Sequence, residues 1–350
     1  MGDARRLLRG AVRDGLGTGW QLVIDDVRSD RIELAEGTDA LAHGVRSDSR
    51  FCTYCAAKPL LAMGIAAAVD EGELSWNDFV GDLLPGANEV TARRTVRSLL
   101  DHTAGVLRPS AVETTVLPGS RRLEAALDQV PRVLPAGSSA YSEAAAWVLA
   151  GAVLESAVGQ TAAVYVTDRV LRPLDLVDEF DLGVTAATDG KFRMNVSVRG
   201  GRRWPLLLER TASLDWSTNP GYGGRASTRG LVGLASEVLR ALNGKGAVLG
   251  TSVARDLITP GYTTFDTVWD RPCSFGLGWL VGLDEHRFGR AIPATAFGQV
   301  GLVGMTALWA VPEVGYAAGY HINGLSDGAT AIDWLRGAVT DAVHSALLRR

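Results

Sequence analysis

Cysteine is scarce in this 350-residue chain, which has only Cys52, Cys55 and Cys273. An odd, small number in so long a chain does not read as a disulfide framework. Cys52 and Cys55 form a lone C-x-x-C. No second such pair and no H-x-x-x-H completes the four ligands of a structural zinc site. Long apolar runs are lacking as well. The most apolar later stretch, Ala144 to Leu154, falls short of the roughly 20 residues that span a bilayer. Met1 to Gly15 carries Arg5, Arg6, Arg9 and Arg13 among scattered leucines instead of the apolar core of an export signal. It reads as a short amphipathic helix with Leu7, Leu8 and Val12 on one face. Charge of one sign is not concentrated either: the formal net charge is -4 and there is no basic stripe. Nucleic acid and membrane are therefore not expected partners, and a soluble, cytoplasmic protein is expected. There is no internal repeat or low-complexity tract.

What is present is ordinary globular composition, 47% hydrophobic and 21% charged, in a chain long enough for one large domain or two modest ones. Trp20–Asp25 and Arg31–Ala35 read as a hairpin turning at Arg28-Ser29-Asp30. A helix buried on most sides is predicted from about Cys55 to Val69. Pro59 belongs in its first turn, where the missing N–H costs nothing, and this puts Cys55 at the helix start. Further helices are predicted over Thr91–Asp101, Ser142–Gly159, Thr161–Val170, Thr228–Leu242 and Ile332–Leu348. A long irregular stretch runs to Ala140, and Gly221–Gly224 reads as a tight turn. Strands are predicted over Gly278–Gly282, Thr306–Val311 and Tyr316–Ile322, the last two joined at Pro312-Glu313. This order favours an α+β fold: one antiparallel sheet built from both chain ends and flanked by the terminal helices, residues 1–75 and 215–350. The helical segment 76–214 is inserted, and the site lies in the groove between.

The chemistry centres on Cys55 and Lys58, which share one helix face at i and i+3. A thiol at a helix N-terminus beside an ammonium is favoured as thiolate, below its usual pKa of about 8.5, and is thereby activated as a nucleophile. A buried structural cysteine is the competing reading of this pair alone.

The wider context resembles a known family. Phe51-Cys52-Thr53-Tyr54-Cys55-Ala56-Ala57-Lys58-Pro59 is similar to the S-x-x-K segment of the serine β-lactamase and penicillin-binding protein superfamily, most of all its class C β-lactamase and esterase branch. Leu99-Leu100-Asp101-His102-Thr103-Ala104-Gly105 resembles L-L-x-H-T-S-G. Leu134–Gly137 followed by Tyr141-Ser142-Glu143 resembles P-G then Y-S-N. Gly159-Gln160 and Arg172-Pro173-Leu174 match the helix ends that follow. Gly223–Thr228 resembles G-G-x-x-S-T, Phe275–Trp279 resembles Y-G-L-G-W, and Phe297–Gly301 resembles the F-G-H-T-G or K-T-G strand. Each motif alone is weak; their order and spacing across nearly the whole chain carry the resemblance.

The resemblance implies roles. Cys55 stands at the position of the acyl-accepting serine. Lys58 relays its proton and keeps the site positive. Tyr141 acts as base for attack and acid toward the leaving group, with its phenol expected below the usual value of about 10 beside Lys58; a packed loop aromatic is the alternative. The backbone amides of Cys55 and Leu302 form the oxyanion hole. Gly301 admits close approach of substrate. His102 is expected to hold its loop by hydrogen bonds rather than to catalyse. Cys52 is expected to be a packed neighbour. The chain departs from the pattern at three places. Cysteine replaces serine, Glu143 replaces the asparagine, and Gln299-Val300 replaces the charged or polar clamp of the third motif. Glu143, Gln299, Val300 and Gly301 are the expected substrate contacts, and the site looks poorly suited to anionic β-lactams.

A cysteine nucleophile gives a thioester, which amines attack in preference to water. The leading expectation is an acyltransferase passing an acyl group from a small ester, thioester or activated amide to an amine or alcohol, with amide formation preferred and Glu143 attracting or deprotonating a cationic amine. Natural-product assembly is the expected setting. No metal or organic cofactor is required. An esterase- or amidase-type hydrolase using the same residues is the alternative, and a non-catalytic binding protein on this fold is a third.

Overall fold

A computed structural model of the chain describes residues 1–27, 29–183, 190–261, 263–326 and 329–349. Nine strands form the main sheet: β1 (Gly19–Asp26), β2 (Ile32–Gly37), β3 (Ser138–Ser139), β4 (Thr263–Asp266), β5 (Arg271–Phe275), β6 (Leu280–Val281), β7 (Phe297–Val300), β8 (Thr306–Val311) and β9 (Tyr316–Ile322). Their order is β2-β1-β9-β8-β7-β6-β5-β4-β3. All pairings are antiparallel except the edge pair β3–β4. The first and last thirds of the chain meet where Leu22 pairs with Tyr320.

The central strands are buried on both faces, so each alternate residue enters a different core. Trp20, Leu22 and Ile24, with Ala307, Trp309 and Val311, lie in a cluster with Leu8 of helix α1 (Gly2–Arg13). The same cluster takes in Leu335, Val339 and Val343 from the closing helix, Ala329–Leu348. Val23, Leu308 and Ala310 enter the second cluster. There they meet helix α2 (Lys58–Asp70), α3 (Ala145–Val158) and α4 (Thr228–Leu242). The closing helix is α5. The terminal helices therefore cover one face, as predicted, while α4 covers the other. No single helix among the described residues is long and apolar enough to cross a membrane; α3 with the following Ala162–Leu171 passes that test only as a pair bent by 79°.

Several boundaries move. The β1–β2 hairpin forms, although Arg28 of its expected turn lies outside the described residues. The predicted helix 91–101 divides into Glu89–Ala92 and Val96–Leu100, each with its own cap: the Asn88 side chain accepts from Val90 and Thr91 N–H, and Thr95 forms a capping box with Ser98. Two strong N-caps seven residues apart favour two short helices over one. The stretch to Ala140 is less irregular than expected, with helices at Ala111–Val116 and Gly119–Asp128. The first starts at another capping box, Ser110 with Glu113. Strands β3, β4, β5 and β7 are additional to those expected from pattern alone. The segment 196–205 forms a hairpin, Val196–Arg199 with Arg202–Pro205, which pairs with Leu325–Ser326 beside the sheet.

Candidate active site

Cys55 does not sit in α-helix. It lies in a 3-10 turn, Tyr54–Ala57, that runs straight into α2, with Pro59 in the first turn of α2. The turn follows a short strand, Phe51–Cys52, pinned against Arg225–Ala226. Tyr54, the residue before the nucleophile position, has φ +52°, a left-handed conformation that costs a tyrosine about 1–3 kcal/mol unless its surroundings hold it. In a 3-10 turn, i and i+3 lie one above the other, so Cys55 and Lys58 face the same way. Cys55 packs against the cluster that holds Tyr141, and its side chain acts to raise the pKa of both Lys58 and Tyr141.

Lys58 is 0% exposed. Its Nζ donates to the Glu143 carbonyl at 2.9 Å and to the Gly221 carbonyl at 2.7 Å. It also lies 5.3 Å from the centre of the Tyr141 ring and 5.1 Å from that of Trp147. Burial pushes its pKa down, with Cys55 and Glu143 opposing in part. Gly221 is required here, because a Cβ would lie 2.8 Å from both the Glu143 carbonyl oxygen and Trp147.

Tyr141 is packed between rings, 4.5 Å from His102 and 4.5 Å from Trp269. Its phenol reverses the sequence expectation. Burial, followed by Cys55, Glu143 and Asp266, drives its pKa well above 10, because a phenolate among rings and carboxylates has lost its water. His102 holds the loop: its carbonyl accepts from Ala140 N–H, and its Nδ1 accepts from Ser142 N–H at 3.0 Å. Burial and the Lys58 charge push its pKa well below 6.5, which keeps it neutral.

The third-motif strand β7 ends at Gly301, and a 3-10 turn over Leu302–Gly304 follows. The first amides of such a turn have no intrahelical acceptor, and this turn packs against the one carrying Cys55. A Cβ on Gly301 would sit 2.4 Å from the Thr53 carbonyl oxygen. The glycine thus admits the backbone of the nucleophile turn. Val300 is half-buried and packs in the same apolar cluster as Cys55. Gln299 is 1% exposed, donates from Nε2 to the Gly278 carbonyl and accepts at Oε1 from Val300 N–H. It is turned into the fold and brings no charge. Glu143 has an exposed side chain, and its carbonyl is the group that grips Lys58.

Residues 10–341 match the Beta-lactamase family. The chain belongs to that family. A search of curated proteins by sequence found no match. Among solved structures, the Beta-lactamase family member described here is similar to a penicillin-binding protein homologue from Caulobacter crescentus, with a TM-score of 0.77, 18% identity and 96% of each chain covered. It is similar to EstCE1, a hydrolase with promiscuous acyltransferase activity, at TM-score 0.78 and 16% identity, covering 97% of this chain and 98% of that one. A D-stereospecific amidohydrolase from Streptomyces gives TM-score 0.71 and 20% identity, with 97% of each chain covered. These likenesses establish the shared fold.

Sequence reasoning did not find Trp269, whose backbone N–H donates to Asp266 Oδ1 at 2.8 Å and whose ring backs Tyr141. A lone tryptophan in a loop carries no signal of that. Cys52, expected to be a packed neighbour, is 1% exposed. Behind it lies a buried polar group, Asn195, Glu209 and His321, that no motif marked. Burial pushes the Glu209 carboxyl up to about 7 and His321 down to about 3.

Proposed function

We propose that this protein is an acyltransferase working through an acyl group carried on Cys55. The single observation behind this is the surroundings of the sulfur: Cys55 packs with the cluster of Tyr141, Lys58 Nζ lies 5.3 Å from that ring, and Lys58 already has two carbonyls to donate to. A neutral amine has two N–H bonds and one lone pair. With both N–H bonds given to Glu143 and Gly221, the lone pair is left for the Cys55 proton, and burial favours that neutral form. Lys58 is then the base. Tyr141, kept as a phenol, is a proton donor toward the leaving group instead of the resting base.

In the first step the Cys55 S–H proton passes to Lys58 and sulfur bonds to the donor carbonyl carbon. The negative charge on oxygen is met by the Cys55 and Leu302 amides. The carbon–leaving-group bond breaks, and the leaving group takes a proton from Tyr141, which Lys58 replaces. In the second step an amine bonds to the thioester carbon, its proton returns through Tyr141 and Lys58, and the C–S bond breaks to restore the thiol. An exposed carboxylate at Glu143 supports a cationic amine as acceptor. The acyltransferase side activity stated for EstCE1 is consistent with transfer on this fold. The hydrolase EstCE1 and the amidohydrolase support the second reading, hydrolysis by the same groups. A biosynthetic role with a small ester or thioester donor belongs to the same proposal.

The test is intact-mass measurement after exposure to a panel of acyl esters and thioesters, comparing the parent with Cys55→Ala and Cys55→Ser. A mass gain confined to chains with a nucleophile at 55 supports the acyl-enzyme. Its persistence in Cys55→Ala refutes it. Adding a primary amine then separates the two readings: amide formed at the expense of free acid supports transfer, and free acid regardless of amine establishes hydrolysis. Carboxylate-bearing β-lactams are expected to acylate far more slowly than neutral thioesters, since Gln299 and Val300 supply no cation.

A further inference from the structure

Glu209 is fully buried and lies 154 positions along the chain from Cys55, outside every motif. It is spent on two partners. Its Oε1 accepts from the Tyr54 hydroxyl at 2.8 Å and from Asn195 Nδ2 at 2.7 Å, while Oε2 accepts from Asn195 N–H at 2.8 Å. Both partners lead to the oxyanion hole proposed above. Tyr54 is the left-handed residue just before Cys55, so the grip on its hydroxyl fixes the residue whose carbonyl carbon bears the Cys55 amide. Asn195 Nδ2 also donates to the Cys52 carbonyl at 3.1 Å, holding the strand that feeds the same turn.

The other side of Asn195 reaches the second amide. Its Oδ1 pairs with His321 Nε2 at 2.9 Å, and His321 Nδ1 pairs with Thr306 Oγ1 at 2.8 Å. The directions are forced: an amide oxygen only accepts, so neutral His321 donates from Nε2 and accepts at Nδ1 from the threonine hydroxyl. Thr306 in turn accepts at its carbonyl from Gly301 N–H at 2.8 Å, and Gly301 precedes Leu302. One buried relay, Tyr54–Glu209–Asn195–His321–Thr306, thereby joins two segments distant in sequence that carry the two proposed amide donors.

We infer that Glu209 is a positioning residue that sets the spacing of the two oxyanion-hole amides through Tyr54 on one side and through Asn195, His321 and Thr306 on the other. This rests on the reading of Cys55 as an acylated nucleophile. A glutamine at 209 keeps the shape but has one accepting oxygen where the carboxylate has two, so one of the donor sets meets an N–H instead.

The test compares two reactions of the same sulfur. Acylation by an aryl thioester builds negative charge on a carbonyl oxygen and needs both amides. Alkylation by iodoacetamide is displacement at a saturated carbon and needs neither. Rates at Cys55 are read by intact mass and peptide mapping for the parent, Glu209→Gln, Tyr54→Phe and the double variant. Glu209→Gln and Tyr54→Phe should acylate at least about tenfold more slowly, with alkylation within about twofold of the parent. The double variant should be no slower than Glu209→Gln alone, since Tyr54 acts through the carboxylate. Unchanged acylation in both single variants overturns the inference while leaving the acyl-enzyme intact. So does a parallel fall in acylation and alkylation, which marks general damage to the turn. A parent that is never acylated at Cys55 overturns the acyl-enzyme reading itself. Should Glu209→Gln fail to fold, Tyr54→Phe, which removes one hydroxyl, decides the question by the same ratio.

Discussion

Gly301 is the residue on which the two halves of the site close. Its missing side chain lets the strand end touch the Thr53 carbonyl, and a methyl there would have to push backbone, which cannot swing aside as a side chain can. Gly301→Ala is therefore expected to displace the Leu302 amide and slow thioester acylation by about 100-fold or more, the scale of losing one oxyanion donor. Quenched intact-mass kinetics measure it, and a rate equal to the parent would show that this contact does not set the site. Lys58 is equally sensitive for a different reason. Lys58→Met retains bulk but leaves the Glu143 and Gly221 carbonyls without their donor and, on the proposed mechanism, Cys55 without a base. Acylation at neutral pH should be nearly abolished, and raising the pH should recover part of it as the thiol ionises without help. A Lys58→Met variant as fast as the parent would remove the amine from the mechanism.

At the scale of the element, α4 shows how one cap does two jobs. Ser227 accepts from Gly230 N–H at the helix start and also hydrogen-bonds the buried Glu179. Ser227→Ala is expected to cost about 1–2 kcal/mol from the cap, with more from the abandoned carboxylate. Thermal or urea unfolding measures this, and a cost near zero would mean the helix start finds another acceptor. The elements also show what sequence can convey. β8, β9 and α4 were read to the residue, because their apolar patterns and turn residues act locally. The pairing of Cys55, Lys58 and Tyr141 was legible through motifs whose order survives substitution. The 3-10 start under Cys55, the short strand Phe51–Cys52 and the β3–β4 edge were not, since they depend on partners far along the chain. The pKa of Tyr141 was misread for the same reason. The neighbouring lysine is visible in the sequence, but the rings and carboxylates that desolvate and oppose the phenolate are assembled only by folding.

For the whole molecule, buried histidines set the response to acid. His102, His286 and His321 are all held below the ordinary value by burial, His286 at about 4 and His321 at about 3. The unfolded chain binds protons at these sites below about pH 6.5 and the folded chain does not, so stability falls as the pH drops through that window. Glu209 works in the opposite sense: its folded value of about 7 exceeds the unfolded one, so its contribution is full below about pH 4.5 and is lost as pH rises through 7. The buried histidines, His344 among them, outnumber the raised carboxyls of Glu209 and Asp101, and a net loss of stability is expected between pH 7 and pH 5. Denaturant melts across that range measure it. Glu209→Gln removes the opposing contribution and should steepen the decline; an unchanged slope would mean the carboxyl titrates normally.

A thioester held beside a primary amine is chemically hazardous, because an acyl group migrates from sulfur to nitrogen readily and the resulting amide is inert. An acylated Cys55 faces that fate with Lys58 next to it. The Glu143 and Gly221 carbonyls, at 2.9 and 2.7 Å, hold the lysine nitrogen in place through both of its hydrogen bonds. On the proposed mechanism, these two contacts restrain the lysine from taking the acyl group for itself.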